Sequence, residues 1–332
     1  QHAAQAVGGP AHRRHSRRLV GIGWPENRST ADLGGMTRNS PAVAFAVATL
    51  GIAIFSAMDA MMKGLSIEIG AYNAMLWRSV IALGLSGTLF LGMRRRWPGP
   101  VALKLHFWRG IASATSVLLF FWGLARVPIA QGVALSFIAP LIALYLAAVL
   151  LKERVGRTAI VASVVAFAGV LVILAGQARA DMGPEAFRGA VAILIAAVLY
   201  AIGLILGRRQ SQVAEPVEIG LFFNIVALGL YAFGAPWWAV LPGVEHLPRL
   251  LLCATFSLVS IMLLAWAYAR AEASYLLPVE YTAFIWAALL GWWVFGEAVS
   301  PPTFVGALMI VAGCLWAARR RPDSQAEAEV PL

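Results

Sequence analysis

The sequence carries very little charge for its length. Only 13% of its 332 residues are charged, 60% are hydrophobic, and the mean hydropathy is +0.77. A soluble globular protein cannot cover its surface with so few charged groups. The two cysteines, Cys253 and Cys314, both lie in apolar stretches, so no disulfide is expected.

Motifs of enzymes and metal sites are also lacking. There is no GxSxG, HExxH or P-loop sequence, and no Cys/His spacing typical of a metal site. None of the five histidines lies at the centre of an apolar stretch. A membrane enzyme needs a catalytic set at depth, and no such set is visible. The sequence therefore predicts neither an enzyme nor a cofactor or metal site.

The apolar residues form ten blocks, each long enough to cross a bilayer, which takes about 20 residues. An all-α integral membrane protein with ten transmembrane helices is the predicted fold class, with the lipid bilayer as its surroundings. The predicted spans are 42–62, 72–93, 105–125, 129–151, 156–176, 187–207, 217–239, 249–269, 273–295 and 302–318.

The N-terminal residues 1–35 differ from the rest in composition. They are rich in Arg, His, Gly and Pro and contain no apolar run, so they are predicted to be a disordered tail that is not necessarily native. Met36 directly precedes the first span and is interpreted as the natural start. The alternative is a basic arm that lies on a lipid surface.

The strongest internal feature is a repeat with a spacing of 144 residues. WGLARVPIAQGVALSFIAPLIALYLAAVLLKERV begins at Trp122, and WAYARAEASYLLPVEYTAFIWAALLGWWVFGEAV begins at Trp266. Their Trp, Arg and Glu landmarks coincide without a gap. The chain is therefore interpreted as a duplication. Its predicted segments are a first repeat at 42–176, a second at 187–318, and a C-terminal tail at 319–332.

The basic residues predict the orientation of the spans. Most of the 26 Lys and Arg residues lie in the tails and in alternate loops, and such loops are cytoplasmic in membrane proteins. Both termini are therefore predicted to be cytoplasmic, in a multi-pass protein of the inner membrane. The net charge of +10 is then a topology signal and does not indicate a nucleic-acid partner. Five spans per repeat place the second repeat upside down, an arrangement typical of secondary transporters.

Several motifs of the sequence resemble those of a known family. LWRSV around Arg78, HFWRGIASATSVLLFFWGLARVPIAQGVALSFIAPL, LLKE ending at Glu153, VFGE ending at Glu297 and IVAGCL are similar to the EamA-type ten-helix members of the drug/metabolite transporter superfamily. The likeness covers residues 42–318. It implies two inverted five-helix repeats around a cavity lined by spans three, four, eight and nine. The RG, SFxxPL and EY motifs look most similar to S-adenosylmethionine uptake carriers, and riboflavin and amino-acid carriers share much of the pattern.

Topology and resemblance together predict a secondary transporter that works by alternating access. Its expected substrate is a small organic metabolite, either amino-acid-like or nucleoside- or cofactor-like. A proton or a counter-substrate is a further candidate partner, and a monomer or weak dimer is expected. The alternatives are an exporter of amino acids or drugs, a channel or receptor without alternating access, and an intramembrane enzyme.

Ionisable side chains inside the spans are the sharpest site candidates, because they are costly in lipid. Asp59 and Lys63 are four residues apart and can pair on one helix face. Arg78 can pair with Asp59 across helices or reach the membrane surface. Arg109 is a positive-inside residue or an inner gate for anionic groups. Each of the four has a structural reading and a functional one.

Glu280 is the most suggestive of the ionisable residues. It follows the helix-kinking Pro278 in span nine, and its repeat partner is Ser136, near Pro140 in span four. The alternative is a buried structural carboxyl group. The full set of candidates for substrate contact is Glu280, Tyr281, Trp286, Ser136, Gln131, Trp122, Trp266 and Tyr200. The aromatic members of this set are more often packing residues than binding residues.

Overall fold

The computed structural model describes residues 41–93, 97–151, 157–179, 183–210, 213–268, 270, 276 and 279–319. The predicted tail at 1–35, most of the tail at 319–332, and Glu153 lie outside these ranges. Within them, every regular element is a helix. The α-helices are α1 (Pro41–Glu68), α2 (Ala71–Gly92), α3 (Pro100–Leu124), α4 (Ile129–Ser136), α5 (Ala139–Leu151), α6 (Arg157–Arg179), α7 (Gly183–Gln210), α8 (Pro216–Trp238), α9 (Leu247–Tyr268), α10 (Ala283–Phe295) and α11 (Pro301–Arg319). A short 3₁₀-helix spans Val244–His246.

The helices are apolar enough to lie in a membrane. Six of those in the described ranges, α1, α2, α3, α7, α8 and α9, are each long and apolar enough to cross it alone. Shorter apolar segments lie at Ile129–Ala143, Ser163–Gly176, Ala283–Phe295 and Pro301–Trp316. The prediction of an all-α integral membrane protein is confirmed.

The fourth predicted span, 129–151, is not one continuous helix. It is divided into α4 and α5 by a turn at Phe137 and Ile138. Pro140 explains the break, because its ring clashes with the carbonyl of Ser136 and it has no N–H to donate. Proline is tolerated in the first turn of a helix, where α5 has it. The first span is also longer than predicted, since α1 continues to Glu68.

The helix ends lie on two faces of the assembly. The terminal face carries the start of α1, the end of α11 and the connections at 97–99 and 213–215. The opposite face carries the turns at 69–70 and 125–128 and the segment 296–300. The basic residues predict that the terminal face is cytoplasmic.

Helices that correspond in the two repeats pack against each other and run in opposite directions. The Tyr72 hydroxyl, near the start of α2, donates to the carbonyl of Tyr231, near the end of α8. Phe90, at the other end of α2, packs with Phe222 at the start of α8. The same antiparallel order joins α6 to α11. Equivalent helices therefore have opposite orientations, as an inverted repeat requires.

Two further helix pairs contain the same hydrogen bond in both repeats. In the α3–α7 pair, the Ser116 hydroxyl donates to the carbonyl of Ala196 at 2.7 Å. In the α9–α1 pair, Ser260 donates to the carbonyl of Gly51 at 2.8 Å. Both serines are buried. Ser116 and Ser260 are repeat partners, so one helix-crossing geometry is used twice.

Glycines allow two of the helix pairs to approach closely. A Cβ atom at Gly123 in α3 would lie 2.5 Å from the carbonyl oxygen of Gly189 in α7. A Cβ atom at Gly169 in α6 would lie 2.7 Å from the carbonyl oxygen of Gly306 in α11. Small residues at such crossings let backbones come together in a membrane, where no hydrophobic effect drives helices together.

Hydrophobic packing is distributed unevenly between the two faces. The largest cluster, which includes Met62, Met75 and Tyr231, draws on α1, α2, α3, α4, α8, α9 and α10 and lies mainly toward the opposite face. Toward the terminal face, two smaller clusters are separate. One joins α1 to α9 and to Leu276 and Val279, and the other joins α2 to α8. The repeats are thus held together more extensively on the opposite side.

Candidate functional site

The opposite face contains an ion pair between Lys63 and Glu297. The Lys63 side chain is 3% exposed and that of Glu297 is 22% exposed. Lys63 Nζ also donates to the carbonyl of Val127 at 2.7 Å. Glu297 Oε2 accepts from the backbone N–H of Ile129 at 2.8 Å. Both charged groups therefore form a hydrogen bond with the same turn, at the beginning of α4.

The end of α10 directs the Glu297 side chain into this position. Gly296 has a φ of +66°, in the left-handed region that glycine adopts without strain. Its N–H donates to the carbonyl of Trp292 at 3.1 Å, and the N–H of Glu297 donates to the carbonyl of Gly291 at 2.9 Å. The Gly296 bond is the 5→1 bond of an αL C-cap, in which a glycine in the left-handed region ends the helix and turns the chain. Glu297 is thereby turned back toward α1 and α4.

Lys63 does not pair with Asp59, the partner considered from the sequence. Asp59 is buried, and the charge of Arg78 acts on its carboxyl group. The charged atoms of these two residues do not come within 4 Å, so no salt bridge forms between them in this structure. Arg78 also interacts electrostatically with Tyr231 and Cys253. The cross-helix attraction of Asp59 and Arg78 is present without direct contact.

The helix breaks of the two repeats meet at the centre of the protein. Phe137 lies in the turn between α4 and α5, and its repeat partner Tyr281 lies in the turn that precedes α10. Their rings form an edge-to-face contact with centroids 5.3 Å apart and planes at 84°. Cys314 Sγ donates to the carbonyl of Phe137 at 3.2 Å. Equivalent residues can touch only at the symmetry axis that relates the repeats, so this contact marks that axis.

The candidates on α4 itself are a serine and a glutamine. The Ser136 hydroxyl donates to the carbonyl of Val133 at 2.7 Å, within its own helix. This bond supports the structural reading of Ser136. Gln131 is 3% exposed, and its Nε2 has no hydrogen-bond partner among the described residues. A buried amide without a partner is uncommon and costly, so Gln131 is not explained by packing.

A second group of candidates lies toward the terminal face. Glu280 is exposed, and the Tyr200 side chain is 49% exposed although both residues belong to predicted spans. Tyr200 interacts electrostatically with Glu280 and with Arg109. Arg109 packs along α7, where a Cβ atom at Gly207 would lie 3.1 Å from its Nε. The structure therefore brings together three residues that the sequence suggested separately.

Arg109 is also the end of a polar chain that the sequence did not reveal. Its Nη1 donates to Gln210 Oε1 at 2.6 Å, and Gln210 Nε2 donates to His106 Nδ1 at 2.5 Å. His106 Nε2 then donates to Glu218 Oε1 at 2.8 Å. The amide orientation fixes this direction, because Gln210 Oε1 already accepts from Arg109. Arg109 Nε is buried without a partner among the described residues. In the sequence, His106, Gln210 and Glu218 are visible only as polar residues near the ends of predicted spans. That they form one hydrogen-bonded chain depends on the tertiary fold.

Trp122 and Trp266 have the same structural role at the ends of α3 and α9. The Arg126 guanidinium lies 3.5 Å from the centroid of the Trp122 ring and donates to the carbonyl of Trp122 at 2.7 Å. Arg270 repeats this arrangement over Trp266, at 4.1 Å and 3.2 Å. The two landmarks of the repeat are thus cation–π pairs that also cap a helix end. These contacts favour the packing reading over substrate binding.

Trp286 is likewise a packing residue in this conformation. It lies beside the hydrophobic cluster of α1 and α9 that includes Ala48 and Ile52. Tyr281, by contrast, combines its contact with Phe137 with a hydrogen bond to Cys314 and electrostatic interaction with Glu280. Of the predicted aromatic candidates, Tyr281 and Tyr200 are therefore the two that the structure associates with Glu280.

Comparisons with known proteins give a consistent result. The profile of the EamA-like transporter family matches residues 42–175 and 187–319. The pseudopaline exporter of Pseudomonas aeruginosa is 26% identical, over 83% of this chain and 95% of its own length. A riboflavin transporter of Brucella anthropi is 26% identical, over 74% of this chain and 86% of its own length. An S-adenosylmethionine uptake transporter of Rickettsia bellii is 24% identical, over 64% of this chain and 71% of its own length. One solved structure, 21% identical, has a TM-score of 0.54 over 84% of this chain and 98% of its own, so it shares the fold.

Proposed function

This chain belongs to the EamA-like transporter family, and from that premise we propose that it moves an amphoteric organic metabolite across the inner membrane by alternating access. The motif resemblance to the drug/metabolite transporters is confirmed by the family match. The relatives are named for pseudopaline, riboflavin and S-adenosylmethionine, and they include both an exporter and an uptake transporter. We infer the substrate class from the site, because these names differ from one another.

The observation that carries the proposal is the exposure of Glu280, a residue of the predicted ninth span. A carboxylate in a transmembrane segment is costly unless it faces protein or water. Glu280 is exposed, and a lipid-facing position would leave its charge without compensation. We therefore place Glu280 on a water-accessible space between the repeats. We assign Tyr200 to the same space, because it is 49% exposed and interacts electrostatically with Glu280.

The charges around this space support an amphoteric substrate. Glu280 offers a carboxylate to a cationic group. Arg109 offers to an anionic group a guanidinium whose Nε has no hydrogen-bond partner among the described residues. The Tyr200 hydroxyl, which interacts with both, can donate to or accept from the substrate. An amino-acid-like group carries both signs of charge within a few ångströms.

Alternating access is supported by the asymmetry of the two faces. The opposite face is closed by the largest hydrophobic cluster and by the Lys63–Glu297 pair. The terminal face has smaller, separate clusters beside the exposed Glu280. Inverted repeats can exchange these two arrangements by rocking against each other. A channel would keep both ends open at once. The named relatives are transporters, and we propose no enzymatic activity.

Exchange in proteoliposomes tests the proposal. Vesicles loaded with unlabelled S-adenosylmethionine, riboflavin or a mixture of amino acids are assayed for uptake of the same labelled compound. Wild type is expected to show counterflow of one amphoteric compound. Glu280→Gln should lower that exchange by at least about tenfold, since one lost charged contact is equivalent to about 1.4 kcal/mol or more.

Glu245→Gln provides the matched control, because Glu245 is an exposed carboxylate on the opposite face and its side chain is 72% accessible. This variant should exchange like wild type. Wild-type exchange by Glu280→Gln would place the site elsewhere. Conductance without counterflow would favour a channel.

A further inference from the structure

We propose that the Lys63–Glu297 pair is a latch that holds the opposite face shut, and that its release is the step that opens this face during transport. The proposal rests on the proposed function and adds a specific gating contact to it. The latch consists of Lys63, Glu297 and the turn from Val127 to Ile129.

The latch joins the two repeats. Lys63 and the turn at 127–129 belong to the first repeat, and Glu297 belongs to the second. Each charged group makes one bond to its partner and one bond to this turn. Separation of the repeats at the opposite face therefore has to break the ion pair together with the Ile129 bond. Lys63 also lies 4.9 Å from the centroid of the Phe295 ring, a second contact across the repeats.

Burial makes the latch a two-state contact. The Lys63 ammonium is almost inaccessible to water when the pair is formed. A small separation would weaken the attraction before water could reach the charges, and a buried charge without its partner is strongly unfavourable. Only two arrangements are then favourable, the closed pair and a fully opened, hydrated pair. A gate that must not stay half-open requires this behaviour.

The position of the latch on α4 connects it to the centre of the protein. α4 is a short helix that begins at the latch and ends at the break beside Phe137. Phe137 contacts Tyr281, which interacts electrostatically with Glu280. α4 also fits closely against α10, since a Cβ atom at Gly291 would lie 2.6 Å from Ile129 Cγ2. A tilt of this short helix would change both ends together.

Other ion pairs on the same face lack these properties. Arg249 and Glu68 form a bidentate pair, but both side chains are more than a third exposed. Surface pairs of this kind contribute little and are screened by salt. Arg126 and Glu185 join the end of α3 to the start of α7, but their side chains are 28% and 59% exposed. Arg188 pairs with Glu185 within one helix and adds no contact between the repeats. Among the ion pairs of the described residues on this face, the Lys63–Glu297 pair is the one that combines a deeply buried charge with a hydrogen bond to the short helix α4.

A thiol-labelling experiment tests the latch without any substrate. Gln131→Cys places a reporter on α4, one turn from the latch, at a position that is 3% exposed. The protein in lipid nanodiscs is treated with a membrane-impermeant maleimide, and each cysteine is quantified separately by mass spectrometry. Native Cys314 lies at the buried α6–α11 packing region and serves as the internal reference. In the reporter background, Glu297→Gln and Lys63→Met should each speed reporter labelling about tenfold or more, because the open population rises.

The controls separate gating from unfolding. Arg188→Gln breaks an exposed pair on the same face and should leave the labelling rate unchanged. The double variant Lys63→Met with Glu297→Gln contains no buried charge, so it should fold and still label fast. Loss of folding would speed the labelling of Cys314 equally.

Two outcomes overturn the proposal. One is a double variant in which both the reporter and Cys314 are labelled slowly, since the face would then stay closed without the latch. The other is Arg188→Gln that labels as fast as the latch variants. Glu280→Gln should leave reporter protection intact, so failure of the substrate site and failure of the latch give different results.

Discussion

Replacement of the two latch residues should have unequal effects on stability. Glu297→Gln keeps the side-chain shape and an acceptor for Ile129, but it leaves the Lys63 ammonium buried with a neutral partner. Breaking a buried pair from one side costs about 3–5 kcal/mol. Lys63→Met leaves Glu297, which is 22% exposed and can be hydrated, so its cost should be only about 1–3 kcal/mol.

The double variant gives the decisive comparison. Lys63→Met with Glu297→Gln removes both charges and leaves only the Val127 carbonyl without its donor, which costs about 1–3 kcal/mol at most. The double variant should therefore be more stable than Glu297→Gln alone by roughly 2 kcal/mol. If the opposite face opens in Glu297→Gln, Lys63 becomes hydrated, and the free energy of that opening sets an upper limit on the loss.

The free energy of unfolding in lipid bicelles, measured by steric trapping, provides the assay. Gln131→Ala serves as a control for changes in this region that remove no charge. Losses that simply add in the double variant would refute the reasoning, because they would mean that Lys63 and Glu297 do not depend on each other. An equal loss for the two single variants would show that the difference in exposure has no energetic consequence.

Two further predictions concern the contacts between the repeats. Gly123→Ala should destabilise the protein by about 1–3 kcal/mol, because the added methyl group meets the Gly189 backbone. Gly229→Ala is the control, because a Cβ atom there would have nothing within 4 Å. It should be neutral or stabilising by up to about 1 kcal/mol in the same unfolding assay. Ser116→Ala and Ser260→Ala should each cost about 0.6 kcal/mol, and the losses should add in the double variant. A loss above about 2 kcal/mol in only one of them would contradict the equivalence of the two crossings.

The positions of the helix breaks were only partly predictable from the sequence. Pro140 predicted a kink in span four, and the structure has the break at Phe137–Ile138, three residues earlier. In span nine the break is at Tyr281–Thr282, after Pro278, so proline does not explain it by the same clash. The breaks are nevertheless at equivalent positions. Repeat symmetry, which the 144-residue spacing already contained, predicts their location better than proline chemistry does.

The charged candidates show where sequence reasoning stops. The sequence suggested that Lys63 and Asp59 can pair because they are neighbours on one helix, which is the kind of contact that spacing alone can predict. The actual partner of Lys63 is Glu297, 234 residues away. The chain from Arg109 to Glu218 is equally remote in sequence. Such contacts depend on how helices pack, and hydropathy does not encode the packing partners.

The sequence by itself determined that this is a duplicated helical membrane protein, because hydrophobic length and repeat spacing are properties of the chain that need no folding to be read. The same holds for its family, whose motifs lie along the chain. Only the tertiary structure decided that Lys63 pairs with Glu297 on the opposite face. The physical reason is that a buried polar side chain takes whichever partner the packed helices bring within hydrogen-bonding distance.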